Sequence, residues 1–400
     1  MFFKNKLLLW SPIIILVVGL LFSLASLPSI HPVPRELPIA LVNEDKGAAL
    51  PDKSTINMGD QVTAIAKKAF SPSEGQHPVK WVMLNEKNEA MKGMNEREYY
   101  GALILPKDFS KNLVSLQTAS PSSPKLQILV NQGMNGSASV MANQLLNGMA
   151  DKINGKVREQ IINGLKQKKA PLSVDTVSVL ATPIKKETMN VNVFGTHSAN
   201  GNSPVFLFQP LWMGSLVGAI LLFVAMKKTV FTSRKEKLQF ITKQFVVGIF
   251  LATLFGWGIT WFADGILQLD IPSKMDTAIF LSIAYLSFLL MMLAVVSWMG
   301  MKGFPLFALL LFFGAPLLSM APEIMPEFYQ NWIYPWLPMR FMTDGLRDLF
   351  FFGNGLSWDQ SVQVLCGIGI ASLVLLLLSA LIQNEKQKIS ADAEEKLSFS

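Results

Sequence analysis

Apolar positions in this chain fall into two arrangements: long unbroken runs at the start and through the second half, and short interrupted runs between them. A helix that crosses a bilayer needs about 20 mostly apolar residues. Leu7 to Leu27 (LLLWSPIIILVVGLLFSLASL) meets that need without a charge. Five further uncharged runs follow: Val205 to Met226, Phe245 to Ala263, Thr277 to Met299, Phe304 to Met320 and Val364 to Ile382. The run from Phe304 is short and holds Pro305 and Pro316, so its ends stay open. Six spans is the best count, with five and seven left open.

The stretch between the first two runs, residues 28–204, reads as mixed α/β. "LPIALVN" (Leu37 to Asn43), "YYGALIL" (Tyr99 to Leu105) and "KLQILVN" (Lys125 to Asn131) have strand-like apolar runs bounded by turn or polar residues. Polar helical stretches lie between them, at Asn88 to Glu98 and Asp108 to Thr118. A longer helix is predicted from about Ser137 to Gln167, where Met141, Leu145, Met149, Ile153, Val157, Ile161 and Leu165 recur at every fourth position. On a helix of 3.6 residues per turn that stripe drifts by about 40° per step, so its two ends face different partners or the helix curves. Gly148, Gly155 and Gly164 weaken it as a free helix. Residues 171–204, rich in Ser, Thr, Asn, Gly and Pro, read as a linker or a loosely folded edge.

The outer segment 321–363 is too polar to span but unusually apolar for a loop. One or two short helices dipping into the outer leaflet are expected, with Trp332, Tyr334 and Trp336 at the headgroup level. Phe341, Leu346, Leu349 and Phe350 form one side of a helix from Met339 to Phe352. Arg340, Asp344, Arg347 and Asp348 offer charge pairs at helical spacing. A surface helix over the loop is the competing reading.

Charge sets the orientation. Lys4 and Lys6 precede the first run; Lys227, Lys228, Arg234, Lys235, Lys237 and Lys243 lie between the second and third; Lys302, Lys386, Lys388 and Lys396 lie on the same side under six spans. The loop on the other side carries Asp264, Asp270 and Asp276 against Lys274 alone. Positive loops stay in the cytoplasm, which places both termini inside and residues 28–204 outside. Lys4 and Lys6 ahead of an apolar run also suit a signal peptide. The run exceeds the usual signal core of about 7–15 residues and "SLASLPS" is a poor cleavage site, so a retained anchor is expected. The domain plan is then a short cytoplasmic N-terminus and first span (1–27), an extracytoplasmic α/β domain with linker (28–204), a five-helix membrane domain (205–383) and a cytoplasmic tail (384–400).

Composition supports a polytopic helical membrane protein. Half of the 400 residues are hydrophobic and 16% are charged, against about 25% charged in soluble domains. The net charge of +7 follows from the inside loops and gives no ground for nucleic-acid binding. Cys366 is the one cysteine, and His31, His77 and His197 lack ligand spacing, so no metal or cofactor site is expected. There is no phosphate-binding G-x-x-x-x-G-K-[ST], no H-E-x-x-H and no G-x-S-x-G. Glu44–Asp45 and Glu394–Glu395 read as solvated pairs, and Asn135 opens an N-G-S sequon. The spans hold Ser, Thr, Gln209 and small residues but no ionisable side chain. Ion-coupled transport needs such groups within the membrane, so an apolar path for amphiphiles fits better than one for sugars or ions.

Several segments resemble the YhgE/Pip family of bacterial ABC type-2 permease-like proteins. "LPIALVNEDKGA" (Leu37 to Ala48), "YYGALILPKDFSKNL" (Tyr99 to Leu113) and "LVNQGMNGSAS" (Leu129 to Ser139) are similar to its outer domain. "SPVFLFQPLWMGSLVGA" (Ser203 to Ala219) resembles its re-entry into the membrane. "YPWLPMRFMTDGLRDLFFFG" (Tyr334 to Gly353) resembles the stretch before the last span, with Pro338, Gly345 and Arg347 at the motif positions. Many members carry a longer helical outer insert than this chain. The resemblance implies the permease subunit of an exporter in a bacterial cell membrane. It would pair as a homodimer or heterodimer and work with separately encoded ABC ATPase subunits. It also implies a coupling element between the second and third spans, here Val230, Phe231, Arg234, Lys235 and Glu236. In that loop Phe231 is the expected aromatic anchor for the ATPase, and Lys237 a further basic contact. A non-transporting surface anchor, phage-receptor-like protein or secretion scaffold is the alternative.

Overall fold

The computed structural model describes residues 32–50, 54–69, 78–116, 118, 121–168 and 174–381, with six isolated positions between 13 and 28. Most of the first predicted span and the tail 384–400 lie outside the described residues; Ile13, Leu16, Val17, Leu20, Leu24 and Pro28 are helical. The chain divides into two compact units: Pro32–Phe194 with Met320–Pro326, and Gly195–Ser319 with Met1–His31 and Glu327–Ser400.

The first unit is built on a five-stranded sheet. Its strands are β1 (Leu37–Asn43), β4 (Val79–Leu84), β5 (Gly101–Leu105), β6 (Lys125–Asn131) and β7 (Lys185–Val191), in the order β4-β1-β5-β6-β7. β2 (Ala48–Ala49) and β3 (Thr55–Ile56) form a separate antiparallel pair. β1 runs parallel to β4 and β5, β6 is antiparallel to β5, and β7 is parallel to β6. Leu37, Ile39, Ala40, Leu41 and Val42 are all fully buried, as a central parallel strand covered on both faces requires. On one face α2 (Lys87–Asn95) sets Ala90 and Met94 against Ala40, Val42, Ala102, Ile104 and Leu129. On the other lies α4 (Gly136–Lys168), close enough that a Cβ at Gly101 would stand 2.8 Å from Leu146 Cδ1 and from the Leu129 carbonyl oxygen. α1 (Met58–Ala69) packs on α4, while α3 (Phe109–Ser115) and α5 (Val174–Ala181) complete the unit.

One expectation for this unit is corrected. Glu44 and Asp45 are half-buried and hydrogen-bonded rather than free in solvent: Glu44 Oε1 accepts from the Lys87 N–H at the start of α2, at 3.0 Å. Asp45 accepts from Gly59 N–H at 3.0 Å, from Ser110 N–H at 2.9 Å and from the Ser110 hydroxyl. Two adjacent carboxylates thus hold the amino ends of three helices, where unpaired N–H groups and the helix dipole favour anions. The Asn135 sequon is buried, at 3% exposure, and its Oδ1 accepts from Ala138 N–H in the first turn of α4. Within residues 171–204 lie α5 and β7, the latter a largely exposed strand at the edge of the sheet. On α4, the buried positions include Ala138, Ala142 and Leu146, then Met149, Ile153, Val157 and Ile161 of the four-residue repeat, so the buried stripe shifts by one position midway. Met141 and Leu145 of the strict four-residue repeat are therefore only partly covered.

The second unit is helical: α6 (Ser203–Lys228), α7 (Arg234–Gly265), α8 (Lys274–Met299), α9 (Phe304–Leu318), α10 (Pro338–Phe351) and α11 (Gln360–Leu378). Ser233, Ser273 and Asp359 cap α7, α8 and α11, each accepting from the N–H three residues on. Gly300, at φ +67°, ends α8 in the left-handed region, and the turn Gly300–Gly303 leads into α9. Among the described residues four stretches are long and apolar enough to cross a membrane: Ser203–Lys228, Arg234–Gly265, Lys274–Leu318 and Gln360–Leu381. The third holds both α8 and α9. Alone, the 15 residues of α9 extend about 22 Å, short of a hydrocarbon core of about 30 Å. α8 is the hub, packed against α6, α7 and α11. Tyr329 Oη donates to the Leu24 carbonyl at 2.8 Å, which ties that helical position to this unit.

Candidate functional site

Two places in the helical unit carry the sequence-predicted residues. The first is the turn between α6 and α7. Lys227 Nζ stands 5.1 Å from the Phe223 ring centroid at the end of α6. Ser233 Oγ accepts from Glu236 N–H at 3.2 Å, while Glu236 Oε2 accepts from Thr232 N–H at 2.8 Å and Oγ1 at 2.9 Å. This reciprocal S-x-x-E arrangement fixes the start of α7, so Glu236 shapes the turn from within. Phe231 is not the exposed anchor the sequence suggested. It is 9% exposed and packs edge-on against Phe240 with centroids 5.2 Å apart. Val230 is 74% exposed and is the apolar group the turn presents. Arg234 and Lys235, the first residues of α7, are also exposed. Lys237 is committed internally, donating to the Ser379 carbonyl at 2.8 Å beyond the end of α11. The turn thus offers an exposed apolar side chain followed by two exposed cations at the capped start of α7.

The second place is α10, which packs against α6, α8, α9 and α11 rather than lying on a surface. Pro338 occupies its first turn, where a missing N–H costs nothing. Gly345 lies flat against the Phe280 ring of α8: a Cβ there would overlap three ring carbons. Arg347 is 3% exposed; Nη1 bonds Asp344 Oδ1 at 3.1 Å and Nη2 donates to the Leu318 carbonyl at 2.9 Å. Leu318 is the last residue of α9, where unpaired carbonyls and the dipole attract a cation. A buried charge needs such partners. Arg340 instead lies over the rings of Phe341 (4.5 Å) and Tyr334 (5.3 Å). Trp332 and Trp336, 71% and 82% exposed, are the aromatics left to meet an interface, since Tyr334 is buried.

Sequence reading missed one polar group. Gln209 is exposed on α6, whereas Gln244 on α7 is 4% exposed and donates through Nε2 to the Leu222 carbonyl at 2.6 Å. It links α6 and α7 just inside the turn. A glutamine at the end of a segment with six lysines and arginines gives no such signal in one dimension. Among the described residues no group of three His, Cys, Asp or Glu side chains is arranged to hold a metal.

The sequence pattern of the family described as "ABC-2 family transporter protein" matches residues 6–382. The uncharacterized protein YhgE of Bacillus subtilis (strain 168) is 25% identical over 125 residues, which cover 31% of this chain and 15% of that relative's length. The fold also has a likeness, with 16% identity and a TM-score of 0.26, to a domain of a putative ABC type-2 transporter from Thermotoga maritima MSB8. That likeness covers 38% of this chain and 86% of the other.

Proposed function

Since the chain belongs to the ABC-2 family of transporter proteins, we propose that it is a permease subunit that moves an amphiphilic substrate outward on power from separate ATPase subunits. A family-wide match over residues 6–382 supports the permease role. The observation that carries the mechanism is the α6–α7 turn, where exposed Val230 stands between the end of α6 and buried Phe231, just ahead of the capped start of α7. An ATPase groove that takes Val230, with acidic groups for Arg234 and Lys235, pushes on α7 directly. α7 is tied to α6 through Gln244 and packs along α8. α8 in turn contacts Gly345 of α10. The absence of ionisable groups from the spans fits a path for apolar or amphiphilic cargo.

In this reading six spans cross a bacterial cell membrane with both termini inside. Residues 28–204 and α10 then lie toward the outside, and a second permease copy completes the path. ATP hydrolysis belongs to the partner subunits. The test is recovery of an ATPase subunit with the chain from native membranes, and stimulation of its turnover by amphiphiles. A surface anchor or receptor would be recovered without an ATPase.

A further inference from the structure

Between α1 and α4 of the α/β unit lies a cleft of about 490 Å³ lined by Ile65, Lys68, Lys152, Gly155, Lys156 and Glu159. Three exposed lysines against one exposed carboxylate make its lining net positive. Lys152 and Lys156 stand one turn apart on α4, a like-charge spacing that slightly destabilises an isolated helix, and α1 brings Lys68 opposite them. Among the described residues neither Lys68 nor Lys156 has a carboxylate within ion-pair distance.

Gly155 is part of the same lining. A Cβ built there meets nothing within 4 Å, so packing does not require glycine. Its helical position costs about 1 kcal/mol relative to alanine. Glycine at such a position lets a ligand approach the helix backbone closely, and here it forms part of the cleft wall between Lys152 and Lys156.

We infer that this cleft binds a phosphate group carried on a larger molecule, the phosphate meeting Lys68, Lys152 and Lys156 while the attached portion runs over Gly155 and Ile65. Lysine ammonium groups suit phosphate as mobile point charges. The inference concerns binding by the α/β unit and does not depend on transport, so it can fail while the permease reading stands.

The experiment uses the full chain in neutral-lipid nanodiscs. Equilibrium binding is measured for glycerol phosphate, a soluble poly(glycerol phosphate) and a short-chain phosphatidylglycerol, whose relative affinities separate a free phosphate ester, a polymer and a lipid headgroup. For the tightest of them, Lys156→Gln and Gly155→Leu should each raise Kd at least tenfold, and Gly155→Leu should leave the thermal midpoint unchanged or higher. Gly155→Leu fills the cleft without touching charge. If only Lys156→Gln weakens binding, diffuse surface charge is responsible and the inference is wrong. It is equally wrong if the wild-type chain binds none of the three.

Discussion

Arg347 Nη2 donates to the carbonyl oxygen of Leu318 at 2.9 Å, so a buried guanidinium on α10 closes the carboxyl end of α9. The same side chain holds Asp344, one turn back along its own helix, at 3.1 Å. Both bonds lie within the helical unit, and the first joins two helices separated by nineteen residues in the chain.

Removing that side chain leaves Asp344 and the end of α9 without their cation. Breaking a buried pair typically costs about 3–5 kcal/mol, and the partial exposure of Asp344, 25%, places Arg347→Ala toward the lower end. Thermal unfolding in detergent should show a clear loss for Arg347→Ala. Arg347→Lys, a point charge without the fork, should fall between the two. An unchanged midpoint for Arg347→Ala would show that the pair contributes nothing.

Gly345 is set by the Phe280 ring. Gly345→Ala drives a methyl into that ring, an overpacking change worth about 1–3 kcal/mol. Phe280→Leu, which clears the space, should recover much of the loss in the double variant. If the two changes add without recovery, the contact is not what demands glycine.

Asp45 serves two helix starts at once. Asp45→Ala should destabilise the α/β unit by about 2–3 kcal/mol, since buried N–H groups are left unpaired, and hydrogen exchange at Gly59 and Ser110 should quicken. Normal protection at both amides would contradict this role.

The chain's legibility follows from which forces are local. The long runs read directly as helices, and β1, β5 and β6 read as strands because both their faces are buried. β7 (KKETMNV) escaped notice because an edge strand with one partner keeps polar residues, and β4 (VKWVML) carries a lysine in its apolar run. Glu44 and Asp45 looked solvated because their partners, Lys87, Gly59 and Ser110, are distant in sequence. At the candidate site the turn itself and the Ser233–Glu236 cap lie in one short segment. Which of Val230 and Phe231 turns inward was not legible, because that depends on Phe240 two turns into α7. The Arg347–Asp344 spacing was visible; the Leu318 carbonyl was not, since no side-chain pattern marks a backbone acceptor.

Topology gives a further prediction. Cysteine introduced at Lys68 or Lys166 should react with an impermeant reagent in intact cells, and cysteine at Lys235 should react only after the membrane is opened. Labelling at Lys235 from outside would overturn the orientation.

The central claim, a permease driven through the α6–α7 turn, is tested most directly by Val230→Asp. The side chain is exposed and free of packing duties, so the variant should insert and unfold as wild type does. Phe231→Asp, by contrast, should loosen the start of α7 itself. The measurement is ATPase recovery with the chain, together with amphiphile-stimulated ATP turnover in the reconstituted complex. The account predicts that Val230→Asp lowers both at least tenfold, in line with the loss of about 1.4 kcal/mol or more at an interface anchor. Wild-type recovery and wild-type stimulated turnover in Val230→Asp would contradict it.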